Sequence, residues 1–127
     1  MLKSNLRVED TIDVTWLTDD EIQSRVEGYL DGSILDIEPV LLMASKVFYA
    51  KMKAYRSSTW YSRNASDIKS DFNVFFYESL STYDRSRGVF LAYLYSNMPH
   101  FINNLFYAYT EGSGYLDRKL LTIRNYD

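Results

Sequence analysis

The chain has 127 residues, 46 % of them hydrophobic, with a formal net charge of −3 and no cysteine. That length suits one domain with one core, and the apolar content is enough to fill it. The missing cysteines exclude a disulfide framework and a thiolate metal site and point to a reducing cytoplasm. No run approaches the ~18 apolar residues of a membrane span, and the opening MLKSNLRVED lacks the long apolar stretch of a signal peptide, so a soluble cytoplasmic protein is expected.

In chain order the elements read as helical throughout. Thr18 to Glu21 forms a capping box: Thr18 can accept from the amide three residues on while Glu21 reaches back, and Leu17 can staple onto Ile22. A helix from about Asp19 to Leu30 then ends at Asp31-Gly32-Ser33, and the paired acids Asp19 and Asp20 are explained by its dipole. Pro39 at a first-turn position, after Asp36 and Glu38, opens a longer helix to about Arg56. Residues 57–66 read as a polar loop. Ser66 and Asp67 are good N-cap residues for the next helix, in which Ile68, Phe72, Phe75, Phe76, Leu80 and Tyr83 recur at spacings of three and four, the period of one buried stripe. Lys69, Ser70, Asn73 and Glu78 occupy the opposite face.

Gly88 closes a tight connector, where a residue free to take positive φ suits a turn between antiparallel helices. A second helix follows over Val89 to Tyr109, and Pro99 should kink or break it near residues 95–99. Glu111 to Gly114 interrupts the chain before a short amphipathic end, Tyr115 to Arg124. The expected architecture is therefore an all-α domain of four to five helices around a central hairpin. It has an N-terminal capping segment and helix over 1–35, a core over 36–109 and a short C-terminal helix or tail over 110–127.

Charge is distributed unevenly. Lys46, Lys51, Lys53, Arg56 and Arg63 lie between Pro39 and Ser66 without an acidic residue, interleaved with Phe48, Tyr49, Tyr55, Trp60 and Tyr61. Such cations could contact phosphates and exposed rings could stack on unpaired bases. A solvated helix face accounts for the same residues. Most of the twelve tyrosines and seven phenylalanines read as core or half-buried packing.

The segment Asp67 to Phe106 carries a more specific pattern. The acid-rich turn of Asp67, Asp71 and Asn73 leads to a helix ending in Tyr83-Asp84-Arg85-Ser86-Arg87-Gly88. Phe90 and Tyr93 follow as Phe-x-x-Tyr. This order resembles region 2 of the bacterial sigma factors, over about 40 of the 127 residues. Leu41 to Arg56 is a weaker counterpart of that region's first helix. The resemblance implies that Asp67, Ser70, Asp71, Asn73 and Tyr77 dock on the clamp coiled coil of the largest subunit of RNA polymerase core. It further implies that Phe90 and Tyr93 lie on a promoter-melting helix and that His100, Asn103 and Asn104 face the upstream promoter element. Lys51, Lys53, Arg56 and Arg63 complete the DNA-binding candidates.

Departures from the family pattern are as informative. Ser70 stands where glutamine is usual and Phe72 where a small residue is usual. Ser96 and Asn97 replace the paired tryptophans of primary sigma factors, which weakens the expectation of strand capture. No basic residue occurs from Val89 to Gly114, which argues against tight phosphate binding there, although asparagine can pair with adenine. Only about 18 residues follow Tyr109, too few for a second helix-turn-helix module, so two forms are open: a minimal factor of the kind bacteriophages carry, using a partner protein for the upstream contacts, or a sigma-like domain that holds the polymerase clamp to block or redirect the host factor.

Catalysis has no positive signal. There is no Gly-rich phosphate loop, nucleophile elbow or His-Glu-x-x-His helix, and the single histidine, His100, has no neighbours at metal-ligand spacing. A non-enzyme without metal or cofactor is expected. Two functions remain open. One is a sigma-like transcription factor that binds polymerase core and helps direct transcription from promoters, in the host bacterial cytoplasm if phage-encoded. The other is a protein-interaction module, such as a polymerase-binding inhibitor, that never touches DNA.

Overall fold

The computed structural model describes residues 17–110. Helix covers 83 % of them and no strand occurs among them, which places the described chain in the all-α class. There are five α-helices: α1 (Asp19–Asp31), α2 (Glu38–Lys51), α3 (Thr59–Arg63), α4 (Ala65–Thr82) and α5 (Phe90–Thr110). The expected end helix over Tyr115 to Arg124 lies outside the described residues. The chain divides into two units, residues 1–53 and 54–127.

In the first unit the capping box forms as expected. The Glu21 amide donates to Thr18 Oγ1 at 3.1 Å and the Thr18 amide donates to Glu21 Oε1 at 2.7 Å, so two orphan donors of the first turn are satisfied reciprocally. The Thr18 amide and hydroxyl hold the Glu21 carboxyl below its ordinary value. Ile22 and Val26 point inward from α1. The helix stops at Gly32, whose φ of 85° is a left-handed conformation, and the amides of Ser33 and Ile34 donate back to Gly28 O at 2.9 and 3.0 Å. Pro39 stands in the first turn of α2, whose Val40, Ala44 and Phe48 are fully buried.

The fold-back after α1 brings Ile34 over Gly28 so closely that a Cβ added at Gly28 would lie 2.6 Å from Ile34 Cδ1 and 2.8 Å from its Cγ1. Gly28→Ala is therefore expected to lower stability by about 1 kcal/mol despite alanine's better helix propensity, because overpacking costs roughly 1–3 kcal/mol. Adding Ile34→Val removes the nearer clashing methyl and should recover part of the loss in a urea titration. A Gly28→Ala variant more stable than wild type would show that Ile34 rotates away freely.

α2 ends earlier than the sequence pattern suggests. It gives way at Lys51 to a 3-10 turn over Met52–Tyr55, with Met52 fully buried. Residues 57–66, expected as loop, instead contain α3, and α4 begins at Ala65 with Asn64 at its N-cap position. Asn64 makes no side-chain cap bond; its Nδ2 donates to Trp60 O at 2.8 Å, so the amide side chain ties α3 to α4. Ser66 and Asp67 lie inside the first turn of α4, where an acid still favours the positive end of the dipole.

In the second unit α4 and α5 form an antiparallel hairpin. Phe76 meets Phe90 at 5.7 Å between ring centroids near one end, Phe75 stacks on Phe101 at 4.5 Å near the middle, and the Tyr109 hydroxyl donates to Asp71 Oδ2 at the other end. Ile68, Phe72, Phe75, Phe76 and Leu80 are buried as the spacing predicts; Tyr83 is half-buried and ends α4. Pro99 does not break α5, which runs continuously for 21 residues with Pro99 on its exposed side.

Candidate functional site

The outward side of α4 carries Asp67, Ser70, Val74, Tyr77 and Ser81 in a 3-4-3-4 spacing, all exposed. That spacing lays one nearly straight stripe along a helix. Most of it is polar, yet its centre is apolar: Val74 is 40 % and Tyr77 42 % exposed. Three of the five polymerase-docking candidates, Asp67, Ser70 and Tyr77, thus share one face. Val74 joins them although the sequence reading passed over it; the signal available was a β-branched residue on an otherwise polar helix side.

Asp71 and Asn73 flank this stripe and are half-buried. Asp71 accepts the hydrogen bond from the Tyr109 hydroxyl, which ties α4 to α5 and gives the carboxylate a structural contact. Asn73 stands at the opposite margin.

The connector between α4 and α5 is held by Asp84. Its Oδ1 accepts from the Ser86 hydroxyl at 2.7 Å and the Ser86 amide at 3.0 Å, and Arg87 Nε lies 3.8 Å from Oδ2. These interactions, the Ser86 hydroxyl first, keep the Asp84 carboxyl below its ordinary value. Gly88 takes φ 128° and ψ −166°, a conformation that a side chain would strain, and its carbonyl accepts from the Tyr83 hydroxyl at 2.5 Å. Beside the connector an open cleft of about 440 Å³ is lined by Thr82, Tyr83, Arg87, Val89, Tyr93 and Ser96. The Thr82 and Tyr93 hydroxyls lie 2.6 Å apart, already paired across the hairpin.

The DNA-binding candidates are divided between the two units. Lys51 and Lys53 are exposed in the first unit; Arg56 and Arg63 belong to the second, where Arg63 is exposed but Nη1 and Nη2 of Arg56 are buried. Phe48, Tyr49 and Tyr61 are core residues, which removes three rings from the expected basic and aromatic surface. Phe90 is fully buried against Phe76 and Tyr83, so its ring cannot serve as a stacking platform. Tyr93 is half-buried, tilted against Tyr83 at 5.9 Å. His100 and Asn104 touch each other, Nε2 to Nδ2 at 3.2 Å, and Asn103 is exposed on the same helix.

An aromatic cluster that the sequence reading did not assemble forms where α3 meets the end of α5. Trp60 stacks parallel to Tyr109 at 6.4 Å and meets Phe106 edge-on at 5.8 Å, with Tyr55 5.4 Å from Trp60. Its members are too far apart in sequence to show up as a pattern.

Among the described residues no group of histidine, aspartate and glutamate could hold a metal ion, and no helix is long and apolar enough to cross a membrane. No family model, no curated protein and no solved structure matches the chain.

Proposed function

We propose that the protein is a small sigma-like transcription protein that docks on the core of a bacterial RNA polymerase, through the coiled coil of its largest-subunit clamp. The observation that carries this reading is the outward stripe of α4, which presents Asp67 at the positive end of the helix and Val74 with Tyr77 at its centre. A partner helix packs naturally on a stripe of this spacing. Tyrosine at the centre of a contact is a common anchor, and an exposed carboxylate pairs with arginine at its edge. The connector Asp84 to Gly88 and the sigma-like order of residues around it support the same reading.

Docking is tested by capturing polymerase core with wild type and with Tyr77→Ala and Val74→Asp variants at moderate salt. Both positions are exposed, so the fold should survive, and each variant is expected to weaken binding at least tenfold, about 1.4 kcal/mol. Unchanged binding by both variants, or no binding by wild type, would sink the assignment of α4.

A second reading, a polymerase-binding module that does not contact DNA, is favoured by one feature of α5. It carries no lysine or arginine over 21 residues, while Phe90 is buried. Salt-dependent retention of a promoter fragment by the protein with core would support promoter engagement; retention no better than with core alone would support the second reading.

A further inference from the structure

α5 contains neither acid nor lysine nor arginine in its 21 residues. A helix buried on all sides would need none, but α5 is not buried on all sides. Its exposed side carries Ala92, Ser96, Pro99, His100, Asn103 and Tyr107 in one stripe, with Phe106 at its margin and Val89 and Thr110 at its ends. Solvent-facing helix sides normally carry ions, and depletion of charge with enrichment of aromatics marks the centres of protein interfaces. Tyr107 is 44 % and Val89 51 % exposed, apolar surface at both ends of the same stripe.

We propose that this stripe is a self-association surface, on which α5 of a second copy of the chain packs antiparallel. The uncharged face meets its own copy without like-charge repulsion. Its chemistry is also self-complementary in that orientation. With the two-fold axis between Pro99 and His100, Ala92 lies opposite Tyr107 of the other copy and Ser96 opposite Asn103. The small residue receives the large ring, the hydroxyl receives the amide, and Val89 meets Thr110. A parallel pairing would set tyrosine on tyrosine and alanine on alanine. The spacing of three and four suits two helices crossing at about 20°. At 1.5 Å per residue the stripe is about 30 Å long, which puts the buried area at the small end of specific interfaces and the dimer in the weak, concentration-dependent class.

This inference concerns α5 and stands apart from the docking stripe on α4. Sedimentation equilibrium of the full chain over a wide concentration range is expected to show a monomer–dimer equilibrium. Ser96→Lys with Asn103→Lys places like charges opposite each other twice and should weaken the dimer at least tenfold. Ser96→Glu with Asn103→Lys places opposite charges together only in the antiparallel arrangement, and should dimerise at least as well as wild type. Circular dichroism checks that both variants remain helical. Wild type sedimenting as a monomer throughout, equal dimerisation by the double lysine variant, or equal loss in both variants would overturn the proposal. So would a double lysine variant that loses polymerase core while self-associating normally, since the stripe would then belong to that partner.

Discussion

Phe75→Ala is expected to be the most damaging single truncation in the hairpin, lowering stability by about 3–5 kcal/mol. Phe75 is 1 % exposed and sits between two rings, parallel to Phe101 at 4.5 Å and tilted against Phe72 at 5.9 Å. Truncation removes the burial of a whole ring and leaves a void whose lining is aromatic and stiff, so little of it can collapse. Stacked pairs add roughly 0.5–1.5 kcal/mol beyond burial, and Phe75→Ala also forfeits the stack on Phe101. A domain stable by about 5–15 kcal/mol would lose a large share of its margin. The check is urea unfolding followed by circular dichroism, with Val74→Ala one residue away as the control; Val74 is 40 % exposed and should change stability by less than about 0.5 kcal/mol. A Phe75→Ala loss below about 1 kcal/mol would mean that the ring stack does not hold the hairpin together.

What could be read from the sequence follows from how local each signal is. The capping box at Thr18 and Glu21, the first-turn Pro39 and the buried stripe of α4 depend on residues within four positions of one another, and each is seen as expected. Helix α3 was missed because Ser58, Thr59 and Ser62 weigh toward a loop. Tertiary packing outweighs that preference: Tyr61 is buried and Trp60 rests on Tyr109 and Phe106, some fifty residues downstream. Pro99 was expected to kink or break α5; the helix runs on through it, with Pro99 on the exposed side, where its ring displaces no core side chain.

The candidate sites were legible to a lesser degree. Asp67, Ser70 and Tyr77 share a face because helical periodicity alone places them there. Phe90 could not be distinguished from an exposed ring by its motif, since Phe-x-x-Tyr is equally the pattern of a helix turning one ring inward and the other to its margin. Arg56 looked like a phosphate contact from composition, and only the folded chain reveals that its terminal nitrogens are buried.

Asp71 is the residue on which fold and function are easiest to confuse. From the sequence it is one of a pair of helix-start carboxylates suited to a polymerase arginine; in the structure it receives the Tyr109 hydroxyl and joins the first turns of α4 to the last turn of α5. A hydrogen bond to a charged group contributes roughly 1.5–3 kcal/mol when buried, and the half-buried setting of both residues lowers the expectation to about 1–2 kcal/mol. Tyr109→Phe and Asp71→Ala should each destabilise by about that amount. The double variant should lose little more than either alone, a coupling of about 1 kcal/mol. Asp71→Asn keeps an acceptor and should be the mildest change, while Asp71→Arg turns the acceptor into a bulky donor beside Tyr109 and should be the worst. Urea titrations of the cycle check this, and a coupling under about 0.3 kcal/mol would show that the tie is idle. The cycle also settles how polymerase binding by Asp71 variants is to be interpreted. Tyr109→Phe leaves every exposed residue of the α4 stripe untouched. If it weakens core binding as much as Asp71→Ala does, the carboxylate acts by holding the hairpin. If core binding falls only when Asp71 itself is changed, in variants of matched stability, the carboxylate meets the partner directly.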